Sequence, residues 1–120
     1  MKKTILIADD SPTQLKMVML ELERLGYQTV TAIDGEDAIN KARRLRPHLA
    51  ILDVIMPKIN GFQVVRQLKT SPNTRTIKVL LISSKSQESD KFWGIKQGAD
   101  AYLVKPFDSP TLLQAVADLI

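Results

Sequence analysis

Short runs of Val, Ile, Leu and Ala alternate along this 120-residue chain with longer segments whose apolar positions recur every three or four residues. The runs are nearly all apolar, as strands buried on both faces are, whereas the longer segments carry a single apolar stripe, as surface helices do. The alternation predicts a parallel sheet covered by helices on both faces. A first strand spans about residues 4 to 9. Ser11 is then a natural N-cap with Pro12 at the first helical position, Leu15, Val18, Leu22 and Leu25 recur at helical spacing, and Gly26 stops the helix. Tyr27 to Ala32 alternates as an edge strand, and Asp34-Gly35 turns the chain into a helix that carries Ala38, Ile39, Ala42 and Leu45 and is closed by Pro47.

The third strand covers about residues 49 to 53, followed by a turn from Pro57 to Gly61. Phe62, Val65 and Leu68 mark a short helix ending near Ser71-Pro72-Asn73. Lys78 to Ile82 forms the fourth strand, before a helix that runs through Phe92 and Ile95 to Gly98. Ala101 to Val104 is the fifth strand, and Ser109 caps a last helix, with Pro110 at its first position, that buries Leu112, Leu113, Val116 and Ile120. Five strand–helix pairs use up residues 1–120 without linker, repeat or low-complexity segment, so one domain is expected. A chain of this length buries about two-thirds of its unfolded surface.

Composition removes several function classes. No apolar stretch approaches the roughly 18 residues of a membrane span, and Lys2-Lys3 precedes only a four-residue apolar run before Asp9, so neither anchor nor signal peptide is read. The absence of cysteine excludes disulfides and thiolate metal sites and suits a reducing cytoplasm. A net charge of +4 raises nucleic acid as a partner. The basic residues, however, are scattered, with only Lys41, Arg43, Arg44 and Arg46 clustered on one predicted helix, which fits a solvated helix face better than a phosphate-backbone patch. No helix-turn-helix, zinc-finger or RNA-binding signature accompanies them. His48, between Pro47 and a strand, reads as a loop residue.

The chemistry lies at the strand ends. Ile5-Leu6-Ile7-Ala8 runs into Asp9-Asp10, and Leu49-Ala50-Ile51-Leu52 runs into Asp53, so parallel strands bring three carboxylates to one edge. Two unit charges about 4 Å apart near a surface repel by roughly 4 kcal/mol at an effective dielectric of 20. Such a cluster must be protonated, met by a divalent cation or met by a basic side chain. Lys105 follows Tyr102-Leu103-Val104, Ser83 ends the run from Val79 to Ile82, and clustered carboxylates are the ligand set expected for Mg²⁺. Open α/β sheets bind ligands at the carboxyl ends of their strands, and aspartates, metal, hydroxyl and lysine together there make a site for phosphate. The plainer reading, independent helix caps and loop charges, requires all five residues to coincide at that edge.

From end to end the chain resembles the CheY-like receiver domains of two-component response regulators. The residues that carry the resemblance are Asp9-Asp10-Ser11, Asp53 with Met56-Pro57 and Asn60-Gly61 behind it, Ser83, and Lys105-Pro106-Phe107. It implies a flavodoxin-like fold, a five-stranded parallel sheet in the order 2-1-3-4-5 with five helices on both faces. Within that family the chain is similar to the stand-alone PilH-type regulators of type IV pilus and phototaxis-like chemosensory systems. Asp10-Ser11-Pro12-Thr13, Asn60-Gly61-Phe62-Gln63, Lys91-Phe92-Trp93-Gly94 and Gln97-Gly98-Ala99 suggest it.

The resemblance implies a signalling phosphoacceptor rather than an enzyme. Asp53 would take a phosphoryl group from a CheA-like histidine kinase or a phosphotransfer domain. Asp10 and Asp53 would hold Mg²⁺, Asp9 would act mainly through a bound water, and the backbone carbonyl of Ile55 would complete the protein ligands. Lys105 and Ser83 would meet the phosphoryl oxygens. Tyr102 occupies the family's aromatic switch position, and the partner surface would be the fourth helix, fifth strand and fifth helix. There Phe92 and Ile95 share a stripe, while Trp93, turned about 100° away, is read as core filler in preference to interface anchor. The target is a protein rather than nucleic acid or membrane, and the chain is a monomer or a phosphorylation-dependent dimer. Ile55 and Lys85, two residues beyond Asp53 and Ser83, flank the phosphoryl site, where polar or acidic side chains could orient an attacking water; Ile55 cannot do so, and self-dephosphorylation is expected to be slow.

Rival readings fare worse on particular residues. A haloacid-dehalogenase-like phosphatase needs an acid where Ile55 stands, and a nucleotide-binding fold wants glycines where Asp9-Asp10-Ser11-Pro12 stands. A phosphorylation-independent pseudo-receiver survives loss of the chemistry, but the joint presence of Asp53, Asp10 and Lys105 argues against it.

Overall fold

The structure, a computed structural model, describes residues 2–120. Strands β1 (Thr4–Ala8), β2 (Gln28–Ala32), β3 (Leu49–Asp53), β4 (Lys78–Ser83) and β5 (Ala101–Val104) alternate with helices α1 (Pro12–Arg24), α2 (Gly35–Leu45), α3 (Gly61–Thr70), α4 (Glu88–Lys96) and α5 (Ser109–Leu119). All pairings are parallel, in the order β2-β1-β3-β4-β5, as the resemblance implies. The two sheet faces bury alternate residues. Leu6, Ala50, Leu52, Val79 and Leu81 pack with Ile39, Val65 and Leu68 of α2 and α3. Ile5, Ile7, Ile51, Leu80 and Ile82 pack with Leu15, Leu22, Leu112 and Val116 of α1 and α5. Every residue of the central strand β3 is buried. No helix of the described residues is long and apolar enough to cross a membrane.

Most helix starts follow the sequence. Ser11, Asp34 and Asn60 accept the N–H three residues on, at 3.3, 2.7 and 2.9 Å, and the Gln63 side chain returns a bond to the Asn60 N–H at 3.0 Å. The cap of α5 is Asp108, whose Oδ1 accepts from the Thr111 N–H at 2.9 Å, not Ser109. Asp is as good a cap as Ser, and starting one residue earlier still leaves Pro110 in the first turn, where its missing N–H costs nothing. Tyr27 is not part of the edge strand: its N–H bonds the Leu22 carbonyl and closes α1, with Gly26 in the left-handed region at φ 91°. Leu25 and Leu45 lie at helix ends and are exposed.

Helix α4 departs furthest from expectation. Its one buried residue is Gly94, whereas Phe92, Trp93 and Ile95 are 66, 48 and 50% exposed, so Trp93 is not core filler. A Cβ on Gly94 would lie 2.9 Å from Leu81 Cδ1 and 3.0 Å from Tyr102 Cδ2. The glycine lets α4 lie close on β4 and β5, and the residues on either side of it point along the flanks or away.

Two further glycines set the site's geometry. The loop after β3 folds back so that the Gly61 N–H bonds the Val54 carbonyl at 2.8 Å, and a Cβ on Gly61 would overlap the carbonyl oxygen of Asp53. A Cβ on Gly35 would overlap the carbonyl of Ile59 in the same loop. Gly61→Ala is therefore expected to lower stability by about 1–3 kcal/mol in urea unfolding, because backbone rather than a flexible side chain must give way. An unchanged midpoint would show that the loop relaxes freely around the methyl group.

Candidate functional site

Strands β1, β3, β4 and β5 each end by delivering a side chain to the carboxyl edge of the sheet. Asp9 follows β1, with its N–H extending the ladder to the Ala32 carbonyl at 3.1 Å, and is 2% exposed. Asp53 is the last residue of β3 and 7% exposed, while Asp10, next along the alternation, points outward and is exposed. One carboxylate oxygen of each lies within 4.8 Å of the others. From the end of β5 the Lys105 Nζ donates to Asp53 Oδ2 at 2.9 Å and to Asp9 Oδ2 at 3.1 Å. The Lys105 N–H bonds the Ser83 carbonyl at 2.8 Å, so its position derives from the β4–β5 ladder.

Backbone donors orient the carboxylates. The Ser11 N–H donates to Asp9 Oδ1 at 2.9 Å and the Ile55 N–H to Asp53 Oδ1 at 3.1 Å, each two residues on. Both oxygens of Asp9 are thus engaged, and Asp10 is the acid left open to solvent. Ser83 is fully buried; its Oγ accepts from the Lys85 N–H at 3.0 Å and keeps its own O–H to donate. The Tyr102 hydroxyl donates to the Lys85 carbonyl at 2.9 Å, so the backbone of Lys85, through its two flanking peptides, links Tyr102 to Ser83. Burial pushes that hydroxyl above its usual range, against the pull of Ser83.

Electrostatically, one ammonium serves two acids. Burial raises the Asp53 carboxyl above the usual carboxylate range; the hydrogen bond from Lys105 opposes the rise and the charge of Asp9 adds to it. Burial works against the Lys105 ammonium, but its hydrogen bonds to Asp53 and Asp9 and their charges outweigh it and leave the group above its ordinary value. An isolated pair would lower the acid while raising the base. Here the base gains two charged partners, whereas Asp53 gains one charged partner, one backbone N–H, one like charge and a dry environment.

The predicted residues divide cleanly. Asp9, Asp10, Asp53, Ser83 and Lys105 meet at the edge, Ile55 stands beside them 55% exposed, and Tyr102 is joined to Ser83 through the backbone of one residue, Lys85. Phe92, Trp93 and Ile95 of α4 are not in the site. Sequence reasoning missed Gly94, whose signal was a glycine inside a helix, where alanine would be better by roughly 1 kcal/mol. It also missed the Ser11 N–H, a backbone group that no spacing announces.

The hard oxygen donors of three aspartates, one of them open to solvent, suit a divalent cation, and a lysine at hydrogen-bond distance suits an anion beside it. The raised pKa of Asp53 also carries a stability consequence. The folded state holds the Asp53 proton more tightly than the unfolded chain, so ionisation counts against folding as pH rises above the unfolded value of 3.8. Without metal, Asp53→Asn is expected to melt a few degrees higher at pH 7, the size of about 1 kcal/mol in a chain of this length. The gain should disappear below pH 3.8. Calorimetry at both pH values checks it, and a lower melting temperature at pH 7 would mean that the Lys105 pair outweighs burial and repulsion.

Comparison with known proteins agrees with this geometry. The family model described as the response regulator receiver domain matches residues 5–117. The chain is 44% identical over 112 residues to protein PilH of Pseudomonas aeruginosa, covering 93% of each. It is 40% identical to the alkaline phosphatase synthesis transcriptional regulatory protein PhoP of Bacillus subtilis, of which it spans 44%. Among solved structures, the chemotaxis protein CheY4 of Vibrio cholerae superposes with a TM-score of 0.94 at 32% identity, over 100% of both chains. With a family match over nearly its whole length, the chain belongs to the receiver-domain family of response regulators.

Proposed function

We propose that Asp53 accepts a phosphoryl group from a phosphohistidine and that the chain signals through the surface this rearranges. The observation that carries the reading is the Lys105 ammonium 2.9 Å from Asp53 Oδ2, with oxygens of Asp9 and Asp10 gathered within 4.8 Å. The Asp53 carboxylate attacks phosphorus, an O–P bond forms as the P–N bond breaks, and the imidazole leaves with the bonding pair. The product is an acyl phosphate. Asp10, the carboxylate open to solvent, Asp53 and the Ile55 carbonyl would hold Mg²⁺, with Asp9 acting mainly through a bound water. When bound, the metal neutralises charge on the phosphoryl oxygens. Lys105 shifts from carboxylate to phosphoryl oxygen, and the free O–H of Ser83 donates to another.

Phosphorylation adds roughly −1.5 to −2 charges and three acceptors. A pull on Ser83 loosens the Lys85 N–H bond, and the Lys85 carbonyl holds Tyr102, which packs against Gly94 of α4. The exposed Phe92, Trp93 and Ile95 then move with α4 and present an altered apolar surface to a protein target. Self-dephosphorylation is slow because Ile55 places an exposed apolar side chain where a polar one would orient water. For the donor, a cavity of about 550 Å³ beside Lys105 offers Met17, Leu20, Phe107 and Leu112 as an apolar seat for a histidine kinase or phosphotransfer domain. A cytoplasmic setting suits such a donor, and the chain acts as a phosphoacceptor rather than as an enzyme turning over a substrate.

Mass spectrometry after acetyl phosphate and Mg²⁺ should show one phosphoryl adduct, absent in Asp53→Asn; an adduct that persists there sinks the assignment. Mg²⁺ in the millimolar range should raise the melting temperature, and Asp10→Asn should reduce that rise. Trp93, the sole tryptophan, sits on α4 and reports its movement. Beryllofluoride with Mg²⁺ should change its fluorescence, and Tyr102→Ala should abolish most of that change while leaving phosphorylation of Asp53 nearly intact. A full fluorescence response in Tyr102→Ala would route the signal through another face.

A further inference from the structure

At the opposite end of the sheet, basic side chains that are far apart in sequence come together. Lys3 precedes β1, His48 precedes β3, Lys78 opens β4 and Arg46 follows α2. Backbone bonds tie these positions: the His48 N–H donates to the Thr4 carbonyl at 2.9 Å and the Lys78 N–H to the His48 carbonyl at 3.2 Å. Lys3, Arg46, His48 and Lys78 line a cavity of about 310 Å³, with Thr76 beside them and Leu119 and Ile120 as an apolar wall. Among the described residues none of Lys3, Arg46 and Lys78 is in an ion pair. The lining contains no Asp or Glu.

Two details set the donors that these exposed side chains present. Arg46 has φ 44°, the left-handed region that Gly or Asn takes at a helix C-terminus with least strain, yet an arginine stands there. His48 Nδ1 accepts from the Thr4 N–H at 3.0 Å, so the ring proton sits on Nε2, a donor not used by that bond. A fork of guanidinium donors, two ammonium groups, an imidazole N–H and a threonine hydroxyl match the oxygens of a multiply charged phosphate better than a single carboxylate. The open depression is wide enough for a small anion to reach all of these donors.

We infer that this cavity is a second anion site, for a pyrophosphate-bearing ligand whose organic part, where it has one, lies on Leu119 and Ile120. It is separate from the phosphoacceptor edge and does not depend on the reading of Asp53. The test is a titration of the full chain without Mg²⁺, with inorganic pyrophosphate and with ADP, followed by residue-resolved NMR. Shifts are expected at Lys3, His48, Thr76 and Lys78 and not at Asp10, Asp53 or Ser83, and they should weaken as salt is raised. Tighter binding of ADP assigns a nucleotide, and equal affinities assign the inorganic anion; both keep the site. Arg46→Gly relieves the backbone while removing the cation, so it should melt no lower than the parent and bind about tenfold more weakly. Lys78→Gln, exposed at a strand start, gives a second variant with the same expected direction. Shifts confined to the Asp53 edge, no binding at millimolar pyrophosphate, or unaltered affinity in both variants would overturn the inference.

Discussion

Lys105 reaches from the end of β5 to Asp53 at 2.9 Å and Asp9 at 3.1 Å, and the rest of the site is arranged around the sharing of that one cation. Two buried acids with one base leave a charge deficit inside the protein, which is why burial and the neighbouring Asp9 together keep the Asp53 carboxyl above its ordinary range. The deficit creates affinity for further positive charge, and Asp10 supplies an open carboxylate beside it. It also keeps Lys105 poised, since an ammonium split between two acids can follow whichever gains charge. The arrangement holds because Lys105 and Ser83 are fixed by the β4–β5 ladder and Asp9 and Asp53 by their own turns.

The glycines place the moving parts against the fixed ones. Gly61 and Gly35 let the β3–α3 loop close over the end of the central strand, so the backbone around Asp53 is confined. Gly94 does the converse for α4. It brings that helix close to Leu81 and Tyr102, but leaves it without an apolar side chain in the core, so few buried contacts hold it. A helix of this kind shifts at small cost, and Tyr102, bonded to the Lys85 carbonyl, is the part of the fixed sheet that touches it. Its Phe92, Trp93 and Ile95 form an exposed apolar surface rather than part of the core.

The net charge of +4 is not evenly spread. Parallel strands all begin at one end and finish at the other. Acids that terminate strands and bases that precede them therefore separate along the strand axis, with Asp9, Asp10 and Asp53 at one end and Lys3, His48 and Lys78 at the other. Connectivity alone thus turns basic residues scattered in sequence into a local field.

Element types and the residues at the strand ends were legible because each follows from a local pattern: an apolar run, then a polar residue, then a cap. Asp9, Asp10, Asp53, Ser83 and Lys105 were identified in that way, whereas the strand order came through resemblance, since hydrophobic periodicity carries no record of which strands are neighbours. Tertiary structure decided that Asp9 rather than Asp10 meets Lys105, because the alternation continues past β1 and turns one acid inward and the other out. It placed Trp93 in solvent, because Gly94, not the aromatic, takes the inward position on α4. It gathered Lys3, Arg46, His48 and Lys78 around one cavity. A local window reports how buried a segment is on average; which side chain meets which across 52 or 96 residues depends on backbone approach in space, and that exists only once the sheet has formed.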